Sequence, residues 1–239
     1  MSEFNIGFVI FPGITQLDFT GPFEVLSRLA TPASTSSPSK FPQANTYVAA
    51  RTMLPVTSDR GLALMPNCIF EECPPLDLIC VPGGAGVADA LADGGTVDFI
   101  RRQAENARYV TSVCIGAFLL GAAGLLQGRR ATTHWAYTGL LPLVGATHEK
   151  GRIVCDGNVF TSAGVSAGID FALAIIAEIA GPDVAKAIQL SIEYDPAPPF
   201  DAGHPDKASE AAIELMVQRN AAARAGIEQA LGRLAAQWR

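Results

Sequence analysis

Cys114 is the residue on which chemistry can be built, because it stands where a β-type run gives way to a helical one. Tyr109-Val110-Thr111-Ser112-Val113 precede it and Ile115-Gly116-Ala117-Phe118-Leu119-Leu120 follow. A thiol on such a strand-to-helix turn faces the unpaired N–H groups of the new helix, and those donors, with the positive end of the helix dipole, favour thiolate over thiol. The same position also suits a small buried hydrophobe, the ordinary state of a free cysteine. The local pattern admits both readings.

A working thiolate needs an acid or base beside it, and in an α/β sheet the loops at the carboxyl ends of the strands are the place to find one. The first such loop runs from Phe11 to Pro22 and places Asp18 just before a helix, where it also reads as an ordinary first-turn acid. The second, Pro82-Gly83-Gly84-Ala85-Gly86, is a glycine turn whose N–H groups can form an anion-binding nest or simply turn the chain. The usual partner of a catalytic cysteine is histidine, yet only His134, His148 and His204 are present. His134, inside Thr132-Thr133-His134-Trp135, reads as a structural hydrogen-bonding residue, and the other two as surface residues. Their spacing makes no zinc pattern. The expected partner of Cys114 is therefore a carboxylate, Asp18, with Glu24 in reserve.

These loops need elements to hold them. Strand patterns cover Phe4 to Phe11, Thr46 to Arg51, Leu76 to Val81 and Tyr109 to Val113, and helical periodicity covers Gly21 to Ala30, Val87 to Leu91, Thr96 to Ala107, Ile115 to Ala123, Val165 to Ile179 and Asp183 to Tyr194. Alternation of this kind predicts an α/β sandwich with a mainly parallel sheet covered on both faces. Arg152 to Cys155 and Asn158 to Thr161, joined by Asp156-Gly157, read as a hairpin with a type I′ turn. Thr31 to Pro42, rich in Ser, Thr and Pro, reads as a mobile surface loop. The stretch from about 209 to 239 reads as one helix with an imperfect apolar stripe (Ile213, Leu215, Met216, Ala223, Ile227, Leu231, Leu234), packing on the body or on a second subunit. No linker divides residues 1–239, so one domain is expected.

Bulk properties narrow the function classes. Seventeen basic against 23 acidic residues give a formal charge of −6, with no basic cluster beyond Arg101-Arg102 or Arg129-Arg130, so neither nucleic acid nor an anionic membrane is an expected partner. The apolar runs near 113–126 and 169–180 are too short and too interrupted to cross a bilayer. Cys68, Cys73, Cys80, Cys114 and Cys155 form an odd set with no C-x-x-C pair, and no signal-peptide pattern opens the chain, which together predict a cytoplasmic protein. The other four cysteines read as space-filling. Gly121-Ala122-Ala123-Gly124 reads as close helix packing, since dinucleotide and Walker spacings are absent, and no nucleotide or other cofactor is expected.

Taken together, Phe11-Pro12-Gly13 through Leu17-Asp18 to Gly21-Pro22, Val81-Pro82-Gly83-Gly84, Thr111-Ser112-Val113-Cys114-Ile115-Gly116, Gly128-Arg129-Arg130-Ala131-Thr132-Thr133-His134-Trp135 and Thr161-Ser162-Ala163-Gly164 with Ala167-Gly168-Ile169-Asp170 resemble the ThiJ/PfpI superfamily over most of residues 4 to 195. The tail Glu193-Tyr194 with Pro196-Ala197-Pro198-Pro199-Phe200 narrows the resemblance to the isocyanide-hydrating branch. The resemblance implies a flavodoxin-like three-layer sandwich, similar to class I glutamine amidotransferases, and a homodimer without cofactor or metal that converts an isocyanide to an N-substituted formamide. It implies Cys114 as nucleophile, Asp18 as acid/base partner, and a pocket lined by the backbone around Gly83, Gly84 and Ile115. Ile115 stands where many members carry a hydroxyl or a histidine, so only its N–H is left to act, and the histidine of the peptidase branch is missing. Val165 and Ser166 open the helix that follows the hairpin, where their bulk bears on packing near the cysteine.

Three other functions share these residues. A glyoxalase- or deglycase-type enzyme acting on small dicarbonyls uses a similar pair. A ligand-sensing domain of the kind that precedes DNA-binding modules in AraC-type regulators shares the core, although those proteins continue for about a hundred further residues. A redox sensor would oxidise the same thiolate.

Overall fold

The protein is described from a computed structural model covering residues 3–30 and 44–237; the expected surface loop 31–42 lies outside the described residues. The elements in chain order are β1 (Phe4–Val9), α1 (Gln16–Leu26), β2 (Ala44–Ala50), β3 (Val56–Thr57), β4 (Ala63–Leu64), β5 (Cys68–Ile69), β6 (Leu78–Val81), α2 (Val87–Asp93), α3 (Gly95–Ala104), β7 (Tyr109–Val113), α4 (Ala117–Ala122), β8 (Arg130–Ala131), β9 (Thr147–His148), β10 (Ile153–Asp156), β11 (Val159–Ser162), α5 (Ala167–Ala180), α6 (Pro182–Ser191) and α7 (Glu210–Gln237).

Seven strands form one sheet in the order β10-β11-β7-β6-β1-β2-β5, parallel throughout except for the β10–β11 pair. Strands β1, β6 and β7 are buried at nearly every position because helices cover both faces, the burial pattern that parallel sheets require. Helices α1, α5 and α6 pack together, and α2, α3, α4 and α7 form a second group, with the sheet completing three layers. Fully buried Ile6, Phe8, Leu78, Ile79, Phe118 and Phe171 anchor the core between them.

The chain leaves β1 toward β2 on one side and β6 on the other, so the winding direction reverses between β1 and β6. That reversal opens a crevice at the carboxyl edge, where ligands bind in doubly wound sheets. The loops after β1, β6 and β7 converge there.

Two local expectations are corrected. Helix α1 begins at Gln16 and not at Gly21, with Pro22 inside it. A proline there forfeits one backbone hydrogen bond, but the Gly21-Pro22 face packs on α5, where Gly168 lies so close that an added Cβ would stand 2.9 Å from Pro22 Cδ. Tertiary packing outweighs the local stop signal, and Asp18 is placed inside the first turn. The β10–β11 turn has Gly157 at φ 64° with no positive φ at Asn158, which is the type II′ arrangement and not type I′. Short elements with too few residues for periodicity escaped the sequence: the β3–β4 hairpin, β5, β8, β9 and a 3-10 helix over Trp135–Val144.

Candidate active site

Cys114 follows β7 directly, opening a 3-10 turn (Cys114–Gly116) that runs into α4. Its φ is +57°, in the left-handed region that non-glycine residues rarely enter and that costs on the order of 1–2 kcal/mol. Three contacts hold the bend. The Cys114 N–H donates to Ala163 O at 2.8 Å, Thr133 Oγ1 donates to Cys114 O at 2.7 Å, and Gly116 sits so near β6 that a Cβ would stand 2.2 Å from Val81 O. The corner aims the thiol into the crevice, yet Cys114 is only 6% exposed.

Asp18 reaches the same point from the first turn of α1 and is fully buried. Its Oδ2 accepts the Gly83 N–H at 3.0 Å, and its Oδ1 has no hydrogen-bond partner. Burial pushes its carboxyl up to about 7; the Gly83 N–H and the Cys114 thiol pull the other way, and the charge of Asp59 adds to the rise. The Cys114 thiol is pushed well above its ordinary value, first by burial and then by the charge of Asp18, with the Ile115 N–H opposing. This departs from the helix-dipole expectation, because α4 is only six residues long and the sulfur has lost its water. Each of the two groups shifts the other, so they titrate as a pair.

Gly83 is fitted between both partners, since a Cβ there would meet Ile115 N at 2.8 Å and Asp18 Oδ2 at 3.0 Å. Its N–H is committed to Asp18. Gly84 has φ +134° and packs its Cα face against the β1–α1 loop, 2.3 Å from Thr15 N to an added Cβ. Ile115 turns its N–H to the sulfur. Glu24 is exposed and pairs with Arg28, away from the crevice.

His134 does structural work: its Nδ1 accepts the Ala136 N–H at 3.3 Å, capping the 3-10 helix, and burial lowers its pKa, which keeps it neutral. The threonines before it escaped the sequence reading as site residues. Thr133 ties down the Cys114 carbonyl, while the Thr132 N–H donates to Thr161 Oγ1 at 2.8 Å; a Thr-Thr pair after a β-type residue was the available signal. A cavity of about 700 Å³ borders these groups, with Leu17, Thr133, His134, Trp135 and Val165 in its wall and the tail residues Gly203 to Pro205 across from them. His148 and His204 line it too, yet no group of three ligand-type side chains among the described residues is arranged to hold a metal ion. A smaller apolar cavity of about 430 Å³ is walled by Phe11, Leu54 and Asp89, and neither cavity is lined by Cys114 or Asp18 themselves.

The profile of the DJ-1/PfpI family matches residues 5–178. The chain belongs to the DJ-1/PfpI family. Among family relatives, the isonitrile hydratase of Pseudomonas putida is 53% identical over 217 residues, covering 91% of this chain and 90% of that protein. The crystal structure of a ThiJ/PfpI family protein from Pseudomonas syringae superposes with a TM-score of 0.89 at 37% identity, covering 97% of this chain and 92% of the other. The HTH-type transcriptional regulator GbdR of Pseudomonas aeruginosa is 31% identical over 144 residues, which is 59% of this chain but 38% of the regulator. The DJ-1/PfpI match spans β1 to α5 and so includes all three loops of the crevice.

Proposed function

We propose that this DJ-1/PfpI protein is an isocyanide hydratase, with Cys114 as nucleophile and Asp18 as acid and base. The observation that carries the reading is the buried Asp18–Cys114 pair at the crevice, in a chain that shares 53% identity over nearly its whole length with an isonitrile hydratase. An isocyanide carbon accepts a thiolate once that carbon is protonated. The reactive form of the pair holds one proton, on Asp18, with the sulfur ionised. Asp18 delivers this proton to the terminal carbon while Cys114 Sγ bonds to it, giving a thioimidate, R–N=CH–S–Cys114, and an Asp18 carboxylate. Water then adds to the carbon as its proton passes through Asp18 to the nitrogen. The hydroxyl proton returns to Asp18, the C–S bond breaks, and the formamide leaves with the pair restored. The Gly83 and Ile115 N–H groups steady the negative charge as it alternates between oxygen and sulfur.

The experiment is formamide production from cyclohexyl isocyanide by wild-type protein and by Cys114→Ala. Turnover abolished by the substitution is the expected result. Absent turnover by folded wild-type protein, with lactate formed from methylglyoxal, would replace this reading by the dicarbonyl one.

We also propose a homodimer in the cytoplasm, acting without cofactor. The resemblance to the isocyanide-hydrating branch supports the dimer, as do exposed Met53, Leu54, Leu62 and Met65 around the β3–β4 hairpin. Five free cysteines agree with a reducing compartment, and no helix among the described residues is long and apolar enough to cross a membrane.

A further inference from the structure

The β3–β4 hairpin has no part in the mechanism above, yet its turn grips the loop that carries Asp18. Gly13 N–H donates to Thr57 O at 2.8 Å, Asp59 N–H to Ile14 O at 2.9 Å, and Ser58 Oγ to Gln16 Oε1 at 2.6 Å. Asp59 is the residue aimed inward: its side chain is 14% exposed, Oδ2 accepts from Thr15 Oγ1 at 2.7 Å, and Oδ1 is buried without a hydrogen-bond partner. The Arg60 guanidinium, 3.9 Å from that Oδ1, is mostly in water, where its charge is screened. Thr15 N–H in turn donates to Gly83 O at 3.0 Å, and Gly83 N–H to Asp18 Oδ2 at 3.0 Å. One bonded chain therefore runs Asp59–Thr15–Gly83–Asp18, and Asp18 in turn acts on Cys114 through its charge.

The other titratable groups facing the pair are neutral. Cys80 from β6, whose thiol burial pushes up to about 12, faces Asp18, and Tyr137 from the 3-10 helix, also raised by burial, faces Cys114. The charge of Asp59 is felt at both Asp18 and Cys114, and it acts through an interior where water screens little.

We propose that Asp59 is a positioning residue for the hydration: through Thr15 and Gly83 it fixes the place of the Asp18 carboxyl, and its negative charge keeps the last proton on the Asp18–Cys114 pair. The meaning of that proton rests on the hydratase reading, whereas the link between Asp59 and the pair does not. Two readouts separate them: the pH–rate profile of formamide production, and the pH dependence of Cys114 alkylation by iodoacetamide, followed by mass spectrometry.

In Asp59→Asn both limbs of the rate profile are expected to move to lower pH by about half a unit to one unit, with alkylation at pH 6 about threefold to tenfold faster than in wild type. Thr15→Val keeps the charge but cuts the tether, so turnover should fall at every pH with the inflections unmoved. Asp59→Ser gives the same charge test should the Asn variant not fold. An Asp59→Asn profile lowered equally at all pH values, with alkylation unmoved, would overturn the proposal in favour of a purely structural role, and no change in either readout would overturn it outright. Should wild-type protein turn over no isocyanide, the hydratase reading fails while the alkylation comparison still decides the role of Asp59.

Discussion

Asp18 sets the cost of the site. Its carboxyl titrates near 3.8 when solvated and near 7 in the fold, because burial penalises the charged form. The folded protein thus keeps a proton that the unfolded chain releases between those values. The associated stability is complete below about pH 3.8 and is lost as pH rises to about 7, a difference on the order of a few kcal/mol. Asp18→Asn retains an acceptor for the Gly83 N–H and never ionises. Thermal melts should find it more stable than wild type at pH 8, with the gap closing toward pH 4, and the formamide assay should find turnover reduced by about a hundredfold or more. Equal melting at both pH values would show that the buried carboxylate costs nothing. The pairing of a carboxylate with Cys114 was legible from the scarcity of histidines and from the loop positions. Its raised pKa was not, because dehydration depends on what α5, Gly83 and the Cys114 turn place around it.

At the scale of elements, three loops meet with almost no spare volume. Gly83→Ala would drive a Cβ to 2.8 Å from the Ile115 backbone nitrogen, an atom that cannot move without bending the Cys114 turn. The expected stability loss is about 1–3 kcal/mol, with turnover falling further than the lost folded fraction explains, because the pair is forced apart. Gly226 in α7 is the contrast: an added Cβ there meets only Ala88 Cβ, at 4.0 Å. Gly226→Ala should gain about 0.5–1 kcal/mol through helix propensity and leave turnover unchanged. Urea melts with parallel formamide rates test both. The strands and long helices were readable because apolar periodicity is repeated in them many times. The β3–β4 hairpin, with two residues per strand, left no period to read, and it holds the loop of Asp18.

Across the whole molecule, α7 lies on α2 and on the 3-10 helix 135–144 through Ile227 and Leu231, with Arg224 bonding the Ala136 carbonyl. Of the expected stripe, Ile227, Leu231 and Leu234 face the body, while Leu215 and its neighbour off the stripe, Val217, stay exposed. The hairpin carries the more concentrated apolar surface, with Leu54 70% and Met65 62% exposed. Sedimentation of wild-type protein at micromolar concentration is expected to give a species of about twice the 25.0 kDa chain mass, and Leu54→Asp with Met65→Asp to give the monomer. A wild-type monomer at that concentration would remove the dimer.

The sequence by itself determined the layers and the mainly parallel sheet and offered Cys114 and Asp18 as candidates, because strand and helix periods, glycine turns and residue types are local properties of the chain. Only the tertiary structure decided that α1 runs through Pro22, that Thr133 secures the Cys114 bend, that Asp18 is dry, and that the Cys114 thiol is pushed above its ordinary value. Each of these depends on atoms far apart in sequence excluding water from the same small volume, and no local pattern records that exclusion.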